Sequence, residues 1–162
     1  MRWTIKPASE LDEYIYSLQK MHLNTEEMIK RSVYPAAALV IDACASEISA
    51  IPVIEKYGRH NYLEGLKADQ KEGILDGLGI AKFRNQAGFL HVKIGVDGYN
   101  TMVTERWPFG QPNAMILRSI ESGTSFMRAR HPIAKAIRSS RQAAEQKMKE
   151  QFDEETRKVM GI

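Results

Sequence analysis

The stretch Phe89-Leu90-His91-Val92-Lys93-Ile94-Gly95-Val96, closed by Asp97-Gly98, decides the class of fold. Leu90, Val92, Ile94 and Val96 fall on one side of an extended chain, and Phe89, His91 and Lys93 on the other. Side chains alternate across a strand, so this pattern predicts one buried face and one wet face. Upstream, Ile80–Arg84 leads into the turn-forming group Asn85-Gln86-Ala87-Gly88, which makes the two runs a hairpin. Asp97-Gly98 supplies the turn that ends the second strand.

Helical periods lie on both sides of this hairpin. Met1–Lys6 alternates loosely, as a short strand would, and Ser9 is set to cap a helix carrying Leu11, Tyr14, Ile15 and Leu18. After a break at His22-Leu23-Asn24, the pair Asn24 and Glu27 resembles a capping box opening a longer helix. Its apolar positions are Met28, Ile29, Val33, Ala36–Ala45 and Ile48; Pro35 is expected to kink or split it, and Pro52 to stop it. Asp69 with Glu72 predicts a short helix through Ile74, Leu75 and Leu78, weakened by Gly73 and Gly77. Asn113 is read as the cap of another short helix bearing Met115, Ile116 and Ile120, with Gly123 ending it. Pro132 suits the first position of a last helix running to about Met160, with Ile133, Ala136, Ile137, Ala144, Met148, Phe152 and Val159 along one side. The expected fold is therefore α+β: a small antiparallel β-sheet packed with a long N-terminal helix and a long C-terminal helix. One domain is expected over residues 1–162, with extended loops near 52–66 and 99–112.

Composition narrows the function. The hydrophobic fraction of 43% and charged fraction of 27% are those of a globular chain. No apolar run is long enough to span a bilayer, and the N-terminus lacks the layout of a signal peptide, so no membrane association is expected. A lone cysteine, Cys44, excludes an intramolecular disulfide and a cysteine metal cluster; its alanine-rich setting predicts a small buried apolar residue. The histidines His22, His60, His91 and His131 are scattered without metal-ligand spacing. There is no nucleophile elbow and no phosphate loop, and Gly73, Gly77 and Gly79 precede a strand where a dinucleotide fingerprint would follow one. Adjacent carboxylates such as Glu26–Glu27 and Glu154–Glu155 splay apart on a helix. No catalytic, cofactor-binding or metal site is expected, and no small-molecule substrate.

Net charge is +3, too mild to mark a nucleic-acid binder. Its distribution is less even: Arg128, Arg130, Lys135, Arg138, Arg141, Lys147 and Lys149 follow one another with only Glu145 of opposite sign between. Lys135, Arg138 and Arg141 are spaced by three and share a helical flank. A solvated face is the plain explanation; a cationic surface towards phosphates, a protein or a channel lumen is the functional one.

Gly110-Gln111-Pro112-Asn113, followed by Glu121-Ser122-Gly123-Thr124-Ser125, resembles the tailed-phage family described as minor tail components of the gene-product-ten type. That family carries a Glu-x-Gly-Thr-Ser segment, a few basic or small residues, and Pro-Phe or a similar pair opening its last helix. Met127-Arg128-Ala129-Arg130 and His131-Pro132-Ile133 stand in those places here, although an aromatic residue would usually follow the proline. Gly77-Leu78-Gly79-Ile80, Ile94–Asn100 and Ile51-Pro52 are similar to the family as well. The resemblance covers about residues 52–152. It implies a neck or tail-completion protein of the virion, assembled in the bacterial cytoplasm as a closed ring, a hexamer or dodecamer. Its implied partners are head-closure or connector proteins, the tail terminator and, non-specifically, passing DNA. Gln111, Pro112, Asn113, Glu121, Ser122, Gly123, Thr124, Ser125 and the loop residue Trp107 are then the interface candidates. Arg128, Arg130, Lys135, Arg138 and Arg141 are the channel-facing candidates. A small DNA-associated protein using the basic C-terminal helix is the alternative.

Overall fold

A computed structural model describes residues 2–5, 15, 25–55 and 64–160. The elements are strand β1 (Arg2–Ile5), helix α1 (Thr25–Ser49), helix α2 (Ala68–Gly77), strands β2 (Leu78–Ile80), β3 (Arg84–Gln86) and β4 (Phe89–Val96), helix α3 (Asn113–Ser122) and helix α4 (Pro132–Met160). The chain is α+β: the strands join in one sheet with β4 between β1 and β2, and β3 pairs antiparallel with β4. Alongside β2, Asp97 N–H bonds Gly77 O at 2.9 Å and Ala81 N–H bonds Lys93 O at 2.7 Å. One chain rises as the other falls, which makes that pair antiparallel too. The helix expected over residues 10–18 and the capping role of Asn24 lie outside the described residues; Ile15 alone is described there, helical and buried.

The chain divides into two compact units. One comprises Met1–Arg2, Ile41–Gly79 and Gly95–Ser139, the other Trp3–Val40, Ile80–Ile94 and Ser140–Ile162. In the second unit, Met28, Ile29, Val33, Ala36 and Ala37 of α1 are buried, as are Ala144, Met148 and Phe152 of α4. Each fully buried aliphatic or aromatic side chain contributes roughly 1.5–3 kcal/mol, so these stripes dominate the unit's stability. Arg31 adds a 2.9 Å ion pair to Glu155, and the Tyr34 hydroxyl accepts the Phe83 N–H at 2.9 Å. In the first unit, Cys44, Ile48, Leu66, Ile74, Leu117, Ile120 and Ile133 make the core.

Several expectations shift. α1 runs through Pro35 without being split, because its buried positions continue in step on both sides. The first hairpin strand is interrupted: Leu78–Ile80 and Arg84–Gln86 are separate pieces. The tight turn is Ala87-Gly88, with φ of 53° and 81°, the double positive φ of a type I′ hairpin. Asn85 and Gln86, expected in the turn, belong to β3. His91 is buried where a wet face was expected; its Nδ1 lies 3.2 Å from Phe89 O and its ring packs on Phe89. On α4, Ile137 is 37% exposed, while Ser140 and Thr156 sit in the buried stripe. Thr156 satisfies its hydroxyl on Phe152 O at 2.8 Å, which lets a polar residue occupy a core position.

α2 begins at Ala68, not at a cap on Asp69. Gln70 Oε1 accepts the Lys67 N–H at 3.2 Å and so closes the first turn. Asn113 is likewise not a cap: Pro112 holds that position, and Asn113 is the first helical residue.

Candidate functional site

The residues that carry the resemblance form a connected framework in the first unit. Gln111 Oε1 accepts from Gln70 Nε2 at 2.7 Å, tying the loop before α3 to the start of α2. Asn113, 2% exposed, donates from Nδ2 to Gly73 O at 2.7 Å and Asp97 O at 3.0 Å. One side chain thus fastens α3 to α2 and to the end of β4. Gly73 and Gly77 make this approach feasible. A Cβ on Gly73 would lie 2.6 Å from Asn100 Cβ and 2.7 Å from Asn113 Oδ1, and one on Gly77 would collide with Asp97 O. The glycines that weaken α2 as a helix are what allow its neighbours to close on it.

Glu121 is the other anchor. It is buried, and its carboxylate accepts the Ile133 N–H at 2.8 Å and the Ala134 N–H at 3.1 Å. These amides belong to the first turn of α4, whose N–H groups have no partner within the helix. His131, at φ 50°, precedes Pro132 and brings no capping side chain of the preferred kind, so Glu121 supplies the acceptor from the end of α3. The negative charge also complements the positive end of the helix dipole. Between the two helices, Gly123 takes φ 75°, and Thr124 exchanges backbone bonds with Met127 at 2.8 and 3.4 Å. Thr124 Oγ1 accepts the Phe126 N–H at 3.3 Å. Ser122 and Ser125 are exposed. Glu121 also acts on Cys44: burial first, and then this nearby carboxylate, push the Cys44 thiol up to about 11.

In the loop after β4, Trp107 is half-buried, exchanges backbone bonds with Thr104 at 3.1 and 3.0 Å, and lies 5.8 Å from the Arg106 guanidinium. The outermost aromatic is instead Phe109, 92% exposed, with Tyr99 and Val103 also exposed. Phe109 was missed in the sequence because aromatic content alone does not tell a loop tip from a loop base. Of the basic candidates, Arg128, Lys135 and Arg138 are exposed and take part in no ion pair among the described residues. Arg141 is paired to Glu145 at 2.9 Å, and Arg130 is half-buried with an Nε that has no partner among the described residues.

A cavity of about 330 Å³ opens in the same unit, lined by Asp69, Glu72, Asp76 and Asp97 together with Tyr99, Asn100, Thr101 and Asn113. Sequence reading missed it, although Asp69, Glu72 and Asp76 recur at the spacing of one helical face. Among the described residues, no group of three or more His, Cys, Asp or Glu is arranged to hold a metal ion, and no helix is long and apolar enough to cross a membrane. Comparison with protein-family models, with curated proteins and with solved structures finds no match for this chain.

Proposed function

We propose that this chain is a structural subunit of the neck of a tailed-phage particle. It forms a closed ring between head-closure proteins and the tail terminator and completes the path for DNA. The observation that carries the reading is the single use to which the family-like residues are put. Gln111 and Asn113 fasten the start of α3, and Glu121 and Gly123 set how α4 leaves its end. A ring subunit needs that property, because a small change in the rotation between copies turns a closed ring into an open helix. The exposed Phe109, Tyr99 and Val103 offer apolar area for contacts with neighbours. Removing the gene is expected to leave filled heads and finished tails unjoined, and a reconstruction of the wild-type neck to contain a ring of this chain. Normal head-to-tail joining without the protein refutes the reading.

A second reading, a small DNA-associated protein, draws on Arg128, Lys135 and Arg138, which are exposed and in no ion pair among the described residues. Duplex affinity of the isolated chain would then fall with salt, with a log–log slope of about −0.9 per phosphate neutralised. Replacing all of these side chains by Gln without changing that slope removes this reading.

A further inference from the structure

We propose that the acidic cavity beside α2 receives a basic segment of a second copy of this chain, the flank carrying Arg128, Lys135 and Arg138, as the head-to-tail contact of the assembly. The inference rests on the ring reading for its choice of occupant. Asp69, Glu72 and Asp76 stand on one face of α2, Asp97 joins them from the end of β4, and all are exposed. Like charges at this helical spacing repel each other, and none of the ion pairs among the described residues involves them. Beneath them, Asn100 is 3% and Asn113 2% exposed, and both line the cavity. Among the described residues, Asn100 Nδ2 and Asn113 Oδ1 nevertheless lack hydrogen-bond partners, which buried amides rarely do.

The rim charges and the two unpartnered amide atoms define the ligand. Four carboxylates favour donors carrying positive charge, the Asn113 oxygen takes any donor, and the Asn100 amide takes an acceptor. A bare metal ion meets the first demand and not the second, and the carboxylates are not gathered for one. A polypeptide meets both, with a Lys or Arg side chain for the rim and a backbone carbonyl for Asn100. The same unit carries the complementary surface, since Arg128, Lys135 and Arg138 are exposed and take part in no ion pair among the described residues. Different patches of one surface that attract each other produce a heterologous contact, the kind from which rings are built.

The test uses the full chain. Unlabelled and isotopically heavy protein are mixed at low salt, carboxylates are activated for zero-length coupling to amines, and mixed-isotope peptides are identified by mass spectrometry. The expected result is coupling of Glu72, Asp76 or Asp97 to Lys135 of another copy, with Arg138→Lys adding a second coupled site. Neutralising the rim (Asp69→Asn, Glu72→Gln, Asp76→Asn, Asp97→Asn) should reduce all intermolecular coupling to Lys135 by about tenfold, as should raised salt. Circular dichroism checks that this variant is folded, and Asp76→Lys alone serves if it is not. Rim carboxylates that couple no more often than exposed Glu105 overturn the proposal and leave the neck reading standing. Rim coupling from a chain that is absent from particle necks refutes the neck reading and keeps the contact.

Discussion

Glu121→Ala tests the framework most directly. In the wild type one carboxylate, 8% exposed, accepts two first-turn amides of α4 at 2.8 and 3.1 Å. Truncation leaves both donors facing a space that water enters poorly, at about 1–3 kcal/mol per orphaned group. The charge–dipole attraction at the helix start is lost as well, about 0.3–1 kcal/mol. Partial relaxation offsets some of this, so the expected loss is about 2–4 kcal/mol in urea unfolding at neutral pH, a large share of an ordinary domain's stability. Glu121→Gln keeps one acceptor but turns an NH₂ group towards an amide, and should cost about 1–2 kcal/mol. Hydrogen exchange locates the effect: the Ile133 and Ala134 amides should lose protection first, with that of Ile94 changing only through global stability. If Glu121→Ala unfolds within about 0.5 kcal/mol of wild type, or leaves those two amides as protected as before, Glu121 is not the cap of α4.

Gly73→Ala should destabilise by about 1–3 kcal/mol through overpacking against Asn100 and Asn113, whereas helix propensity alone predicts a gain of about 1 kcal/mol; the sign of the change in thermal unfolding separates the two. Ala87→Asn places at φ 53° a residue that tolerates it and should stabilise the hairpin by up to about 1 kcal/mol, read as a raised denaturant midpoint. Cys44 ionises near 9 in an unfolded chain and near 11 when folded, so its contribution is complete below pH 9 and is lost as pH rises towards 11; unfolding followed over that range should show the decline, and Cys44→Ala should flatten it. Glu121→Gln removes a negative neighbour and should lower the Cys44 thiol, seen as faster alkylation at a given alkaline pH once global opening is corrected for. Phe109→Ala should leave stability within about 0.5 kcal/mol of wild type, since the side chain is 92% exposed, while reducing joining of heads to tails.

The class of fold, the long helices, the β4 strand and the burial of Cys44 follow from periodicity and punctuation in the chain. An apolar residue recurring every two or every three to four positions must find a common core. Local signals failed where a long-range partner offered a better bond. Asn113 and Asp69 look like caps in sequence, but the structure uses Pro112 and Lys67 with Gln70 in those places and turns Asn113 to Gly73 and Asp97. His91 alternates as a wet residue and is buried, because alternation counts polarity and not coverage by the surrounding chain. The resemblance drew attention to Glu121–Ser125, and spacing placed Lys135 and Arg138 on one flank. Only tertiary structure made Glu121 the cap of a helix that starts eleven residues later, and only it gathered Asp69, Glu72, Asp76 and Asp97 around one cavity over Asn100 and Asn113. Hydrogen bonds and charges between residues distant in sequence depend on where the chain returns, and no local pattern encodes that return.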